Sequence, residues 1–143
     1  MREDSMKKNL LFLCTGNSAR SQMAEGFARH WGDNEWQVAS AGLEPGSVHR
    51  LAIEVMAEAG IDISHHTSKP ITKELLESAD IIITLCGDAK ERCPLARSKP
   101  RHHWPLPDPA RVTGDDEKKQ AAFRQVRDEL AQRIRDFLPG QTQ

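Results

Sequence analysis

Residues 9–21 read NLLFLCTGNSARS. A short apolar run over 9–14 ends on Cys14, and Arg20 follows six positions later. A continuous apolar run of this length predicts a strand buried on both faces, as in a parallel sheet. Thr15, Gly16, Asn17, Ser18 and Ala19 then predict a tight loop. Residues 21–32, SQMAEGFARHWG, predict a helix. Met23, Phe27 and Trp31 recur every four residues, and Gly32 stands at the usual stop position. Strand, tight loop and helix make the opening unit of an α/β fold.

The alternation continues outward from this unit. Residues 36–42 predict a second strand, 50–60 and 72–78 two helices, and 80–86 a β-branched strand containing Ile81, Ile82, Ile83 and Thr84. Residues 101–104 are a weaker strand signal. The longest helix is expected over 116–138, where Phe123, Val126, Leu130, Ile134 and Phe137 share one face. Alternating strands and helices imply right-handed βαβ units. The expectation is a single three-layer α/β domain over 1–143, with an about four-stranded parallel sheet and helices on both faces. Residues 1–8 are expected to be a frayed tail, and Met6 reads as well as Met1 as a start.

Composition narrows the function classes. The 143 residues suit one core. A formal net charge of −1 provides no field for nucleic acid or an anionic membrane. No apolar run approaches the roughly 20 residues of a membrane span, and the N-terminus lacks an export signal. The expectation is a cytoplasmic protein without nucleic-acid or membrane partners. Cys14, Cys86 and Cys93 are its cysteines, an odd set that argues against a structural disulfide framework.

Ligands of parallel α/β sheets bind beyond the carboxyl ends of the strands, where Cys14 is expected. Backbone N–H groups of the loop 15–20 can converge on one point, and the helix N-terminus adds positive potential there. Gly16 is expected to turn with positive φ, and Asn17 tolerates a left-handed conformation better than most residues. Arg20 adds a planar fork suited to a tetrahedral oxyanion. Thr15, Gly16, Asn17, Ser18, Ala19 and Arg20 are therefore the expected oxyanion-binding residues. A thiol at a helix N-terminus beside an arginine is favoured as its thiolate, so Cys14 reads as a nucleophile, with Ser21 as a hydrogen-bond donor to it. The G-K-[ST] ending of a nucleotide-binding loop is missing.

The segments CTGNSARSQMAEG, SAGLEP, HTSKPI, DIIITLC and DPA resemble the low-molecular-weight protein tyrosine phosphatase fold. More closely, they resemble the thioredoxin-coupled arsenate reductases built on that fold. The resemblance runs from residue 9 to 138. It implies that Asp108 is a general acid on a loop over the site. Phosphatases acting on tyrosine usually carry an aromatic residue after this Asp-Pro pair, where this chain has Ala110.

Reducing arsenate takes two electrons. One thiolate forms an arsenic adduct, a second thiol expels arsenite and leaves a disulfide, and a third carries that disulfide to a reductant. The resemblance implies the order Cys14, Cys86, Cys93, a Cys86–Cys93 redox disulfide, no bound cofactor, and thioredoxin as reductant. The alternative is a low-molecular-weight protein tyrosine phosphatase, or another small phosphomonoester phosphatase, needing only Cys14, Arg20 and Asp108. A metal site from Cys86, Cys93, His102 and His103 fits poorly, because the cysteines are spaced too widely for the usual zinc pattern. A binding module that senses oxyanions without turnover is a third class, and intact Cys14, Arg20 and Asp108 speak against it.

Two departures from the family stand out. Many relatives carry a further cysteine where this chain has Ala19, outside the three redox thiols. Better-known members also bind potassium beside the loop. The matching positions are Asn17, Glu25, Ser40 and Thr67, with an aspartate expected where this chain has Lys69. The expectation is that the Lys69 ammonium replaces the cation, so that activity is indifferent to potassium.

Overall fold

The structure is a computed structural model and describes residues 7–32, 35–85 and 101–138. Leu10, Leu11, Phe12 and Leu13 are all buried, whichever face of the strand they point to. That double burial makes β1 (Lys8–Cys14) an interior strand. The chain continues through α1 (Arg20–Gly32), β2 (Trp36–Gly42), α2 (Arg50–Glu58), α3 (Lys73–Ser78), β3 (Ile81–Thr84) and β4 (Arg101–His103). A 3₁₀ turn (Pro109–Arg111) and α4 (Asp116–Phe137) complete it.

The sheet has four strands in the order β2-β1-β3-β4, and every pairing is parallel. β2 carries the alternating burial of an edge strand, with Gln37 exposed between Trp36 and Val38. β4 is short, which limits the unpaired edge it presents. The chain leaves β1 towards one edge to form β2, then crosses back to form β3. Right-handed connections running in opposite directions put α1 and α3 on opposite faces of the sheet. The reversal occurs beside β1, so its carboxyl end opens into the crevice at the topological switch point.

α4 buries Phe123, Val126, Leu130 and Ile134 and packs against α1 and α2. Phe137 at its end meets the rings of Trp36, His102 and Trp104. Glu58 ties α2 to α4 through Arg124 and Arg127. The Arg124 hydrogen bond is the main reason its carboxyl is pulled down to about 2.

Element ends differ from the sequence reading where local hydrogen bonds intervene. α2 stops at Glu58, because Gly60 turns at a φ of 83°. Thr72 is the cap of α3, its side chain accepting from the Leu75 N–H, and not its first helical residue. β3 starts after Asp80, whose Oδ2 accepts from the Asn9 N–H. The part of the expected 80–86 strand at Cys86 lies outside the described residues.

Candidate active site

β1 delivers Cys14 to the carboxyl edge of the sheet, where its side chain is 2% exposed. The thiol lines a cleft of about 450 Å³ together with Thr15, Gly16, Ser18, Ala19 and Arg20 of the loop. Glu44, Asp108, Ala110 and Arg111 line the same cleft from other segments.

The loop is held from outside by its carbonyls. Those of Thr15, Gly16 and Ser18 accept from the N–H groups of Glu44, Gly46 and His49. The Asn17 carbonyl accepts from Gln22 Nε2 and Ser68 Oγ. A planar trans peptide points its N–H opposite to its carbonyl. The N–H groups of Gly16, Ser18 and Ala19 belong to three of these peptides, and all three residues line the cleft. With the start of α1 beneath them, they form an anion nest.

The left-handed turn falls on Asn17, at a φ of 47°. Gly16, expected to carry positive φ, does not; among the described glycines only Gly60 and Gly114 do. The reason is the Asn17 amide, which offsets the strain with three bonds. Its Oδ1 accepts from the Lys69 N–H at 2.8 Å, and its Nδ2 donates to Ser21 Oγ at 2.7 Å and Ser40 Oγ at 2.9 Å. Asn17 is fully buried, so it shapes the loop without lining the cleft.

Ser21 Oγ lies 2.9 Å from Cys14 Sγ. Because Oγ already accepts from Asn17, its own proton is placed to point at the sulfur, the arrangement that stabilises a thiolate. Arg20 is 8% exposed and donates from one terminal nitrogen to the Leu106 carbonyl at 3.1 Å. Its other terminal nitrogen lies 3.7 Å from Asp108 Oδ2. Asp108 caps the 3₁₀ turn, Oδ1 accepting from the Ala110 N–H at 3.0 Å. Ala19 is buried. Cys86 and Cys93 lie outside the described residues. The chain leading to them is placed, since Thr84 pairs with Leu13 and the Leu85 N–H donates to the Leu13 carbonyl.

The four positions matching the family's potassium site form one hydrogen-bonded cluster. Ser40 Oγ donates to Glu25 Oε1 at 2.6 Å, and Glu25 Oε2 meets Arg29 at 2.9 Å. The Thr67 carbonyl accepts from Gln22 Nε2 and, at 3.4 Å, from the Lys69 ammonium. These oxygens already face donors of the protein, which does not fit a bare cation. Lys69 holds Asn17 through its backbone N–H, and its ammonium bonds the Thr67 carbonyl among the described residues. Arg29, not singled out from the sequence, is the cation beside Glu25. His102 and His103 face different neighbours: Nδ1 of His103 bonds Thr84 Oγ1, and His102 packs edge-on against Phe137. Among the described residues, no cluster of three or more His, Cys, Asp or Glu could hold a metal ion.

Sequence reasoning missed three supports. A Cβ on Gly42 would come within 2.7 Å of the Asn17 nitrogen and 2.8 Å of the Thr15 carbonyl oxygen. Only glycine lets the end of β2 lie this close behind the loop. His66 Nδ1 bonds Gln22 Oε1 at 2.9 Å, which backs the Gln22 amide on Asn17. His49 caps α2, its Nδ1 accepting from the Leu51 N–H, while its own N–H holds Ser18. Burial is the first cause lowering the pKa of both His49 and His66. Apart from the local His49 cap on Leu51, these contacts join segments far apart in the chain, so no local sequence signal marks them.

The family model for low molecular weight phosphotyrosine protein phosphatase matches residues 9–143. The chain belongs to this family. Within it, the chain is 52% identical over 132 residues to an arsenate reductase of Halalkalibacterium halodurans, covering 92% of this chain and 95% of that protein. Among solved structures it resembles an arsenate reductase in its phosphate-binding state. The TM-score there is 0.81 at 38% identity, over 93% of this chain and 98% of that one. It also resembles a thioredoxin-dependent arsenate reductase of Corynebacterium glutamicum, with a TM-score of 0.78 at 27% identity, over 95% of this chain and 62% of that one. The α/β architecture expected from the sequence is thus that of the family. No described helix is long and apolar enough to cross a membrane.

Proposed function

We propose that this protein is an arsenate reductase working through a thiol–disulfide cascade. The supporting observation is a thiol pair that phosphoryl transfer has no use for. Cys14 ends β1 on the nest, and Cys86 follows Leu85, whose N–H donates to the Leu13 carbonyl of the neighbouring strand. The 52% identity to an arsenate reductase over nearly the full chain supports the same reading.

In this scheme the loop N–H groups and Arg20 hold the arsenate oxygens, and the Cys14 thiolate attacks arsenic. One arsenate oxygen leaves as water, with a proton from Asp108. Cys86 then attacks Cys14 Sγ. The electrons of the sulfur–arsenic bond pass to arsenic, which departs as arsenite, and a Cys14–Cys86 disulfide remains. Cys93 attacks Cys86, frees the Cys14 thiolate and leaves a Cys86–Cys93 disulfide. The dithiol of thioredoxin reduces that disulfide. No cofactor is bound in any step. With Arg29 and Lys69 supplying the positive charge beside the loop, added potassium leaves the rate unchanged.

The test is arsenite release by Cys93→Ser with excess thioredoxin. One equivalent of arsenite per protein and then a halt is the expected result. Sustained turnover at the parent rate would overturn the cascade. Phosphate ester hydrolysis by the nest and Asp108 is expected only as a weak side activity, because Ala110 provides no wall for a phenyl ring.

A further inference from the structure

We infer that Arg111 is a second anion-contacting guanidinium, one that captures the substrate at the cleft and lets the product go. The inference rests on reading the cleft as an oxyanion site. The cleft of about 450 Å³ is far larger than a single tetrahedral oxyanion, so the nest and Arg20 meet only one part of it. Arg111 lines the cleft on the 3₁₀ turn that Asp108 caps. Its side chain is 87% exposed, and its Nε lies 3.7 Å from Asp108 Oδ2, beyond hydrogen-bond range. Arg20 stands at the same 3.7 Å from the same oxygen. Asp108 is aimed by its bond to the Ala110 N–H and does not depend on Arg111 for its direction. The Arg111 fork is therefore loosely held, close to the cleft, and backed by a turn that fixes its origin.

Charge explains why such a group matters. Among the described lining residues, the acidic side chains of Glu44 and Asp108 stand against Arg20 alone unless Arg111 is counted. Arsenate near neutral pH is a mixture of monoanion and dianion, so that balance repels it. Arg111 offsets part of the repulsion and offers a bidentate fork to oxygens turned away from the nest. Arsenite near neutral pH is an uncharged acid and feels neither effect. The same residue thus favours uptake of substrate without retaining product. Ala110, its small neighbour, leaves the fork unobstructed.

The probes are inorganic phosphate and a pair of alkylating agents, used on reduced protein. Arg111→Gln should weaken phosphate binding by roughly fivefold at low salt, with the difference shrinking as salt screens it, while Arg111→Lys recovers most of the affinity. Alkylation of Cys14 by anionic iodoacetate should slow in Arg111→Gln more than alkylation by neutral iodoacetamide. With arsenate, KM should rise while kcat holds. A residue that only supported the turn would alter both alkylation rates alike and leave the salt dependence of phosphate binding untouched. That result would overturn the assignment. Failure to reduce arsenate in the parent protein would instead sink the reductase reading, and the phosphate and alkylation measurements would still decide on Arg111.

Discussion

Asn17 is where conformation and chemistry meet most closely, and replacing it separates two effects. In Asn17→Ala the three side-chain bonds to Ser21, Ser40 and the Lys69 N–H are lost inside the protein. Each such bond contributes about 0.5–1.5 kcal/mol, with more lost where a buried partner stays unsatisfied. Alanine must also hold a φ of 47°, which costs about 1–2 kcal/mol in the left-handed region. The sum predicts a loss of about 3–5 kcal/mol. Asn17→Gly loses the same bonds but escapes most of the left-handed cost, so it should be about 1 kcal/mol more stable than the alanine variant. Urea unfolding of reduced protein measures both, and phosphate titration reports whether the nest survives. Equal stability of the two variants, or either one within about 1 kcal/mol of the parent, would refute the account of the loop.

Gly42→Ala forces a methyl against the loop backbone and should cost about 1–3 kcal/mol while weakening phosphate binding; unchanged values on both counts would show that the loop yields freely. Ser21→Ala removes the donor at Cys14, so alkylation by iodoacetamide should slow by about tenfold, and an unchanged rate would show that the serine does not support the sulfur. Stability should also fall on acidification. His49 and His66 both have lowered pKa values in the fold, chiefly through burial, so below about pH 6.5 the unfolded chain takes up protons that the folded one resists. The unfolding midpoint should drop from about pH 7.5 to about pH 5.5, with a shallower slope in His66→Gln; an unaltered slope in that variant would remove His66 from the explanation.

The segment 9–32 was legible because its signals are local. An apolar run, a loop of small residues and a four-residue repeat act over a few positions, and they yielded β1, the tight loop after it and α1 nearly to the residue. Cys14, Arg20 and Ser21, the proposed nucleophile and its partners, all lie within that span. Gly16 was misread for the same reason that it was read at all. Glycine permits positive φ, but whether it adopts it depends on neighbours that the loop does not contain. Asn17 takes the turn because Ser40 and Lys69, from two other segments, bond its amide. Gly42 ends β2 as its sequence predicts, but only the folded chain brings the Asn17 nitrogen to where a Cβ on residue 42 would stand.

The sequence by itself determined the α/β alternation, the buried strand ending at Cys14, and a thiol, an arginine and a serine spaced for an oxyanion. Covalent spacing, hydrophobic period and side-chain chemistry are enough for that. Tertiary structure alone decided which residue bends the loop, which glycine lets β2 approach it, and that Arg20 comes to stand beside Asp108. Those outcomes depend on packing and hydrogen bonds between residues distant in the chain, and such contacts exist only once β2, the 67–69 segment and the 108–111 turn have closed around β1.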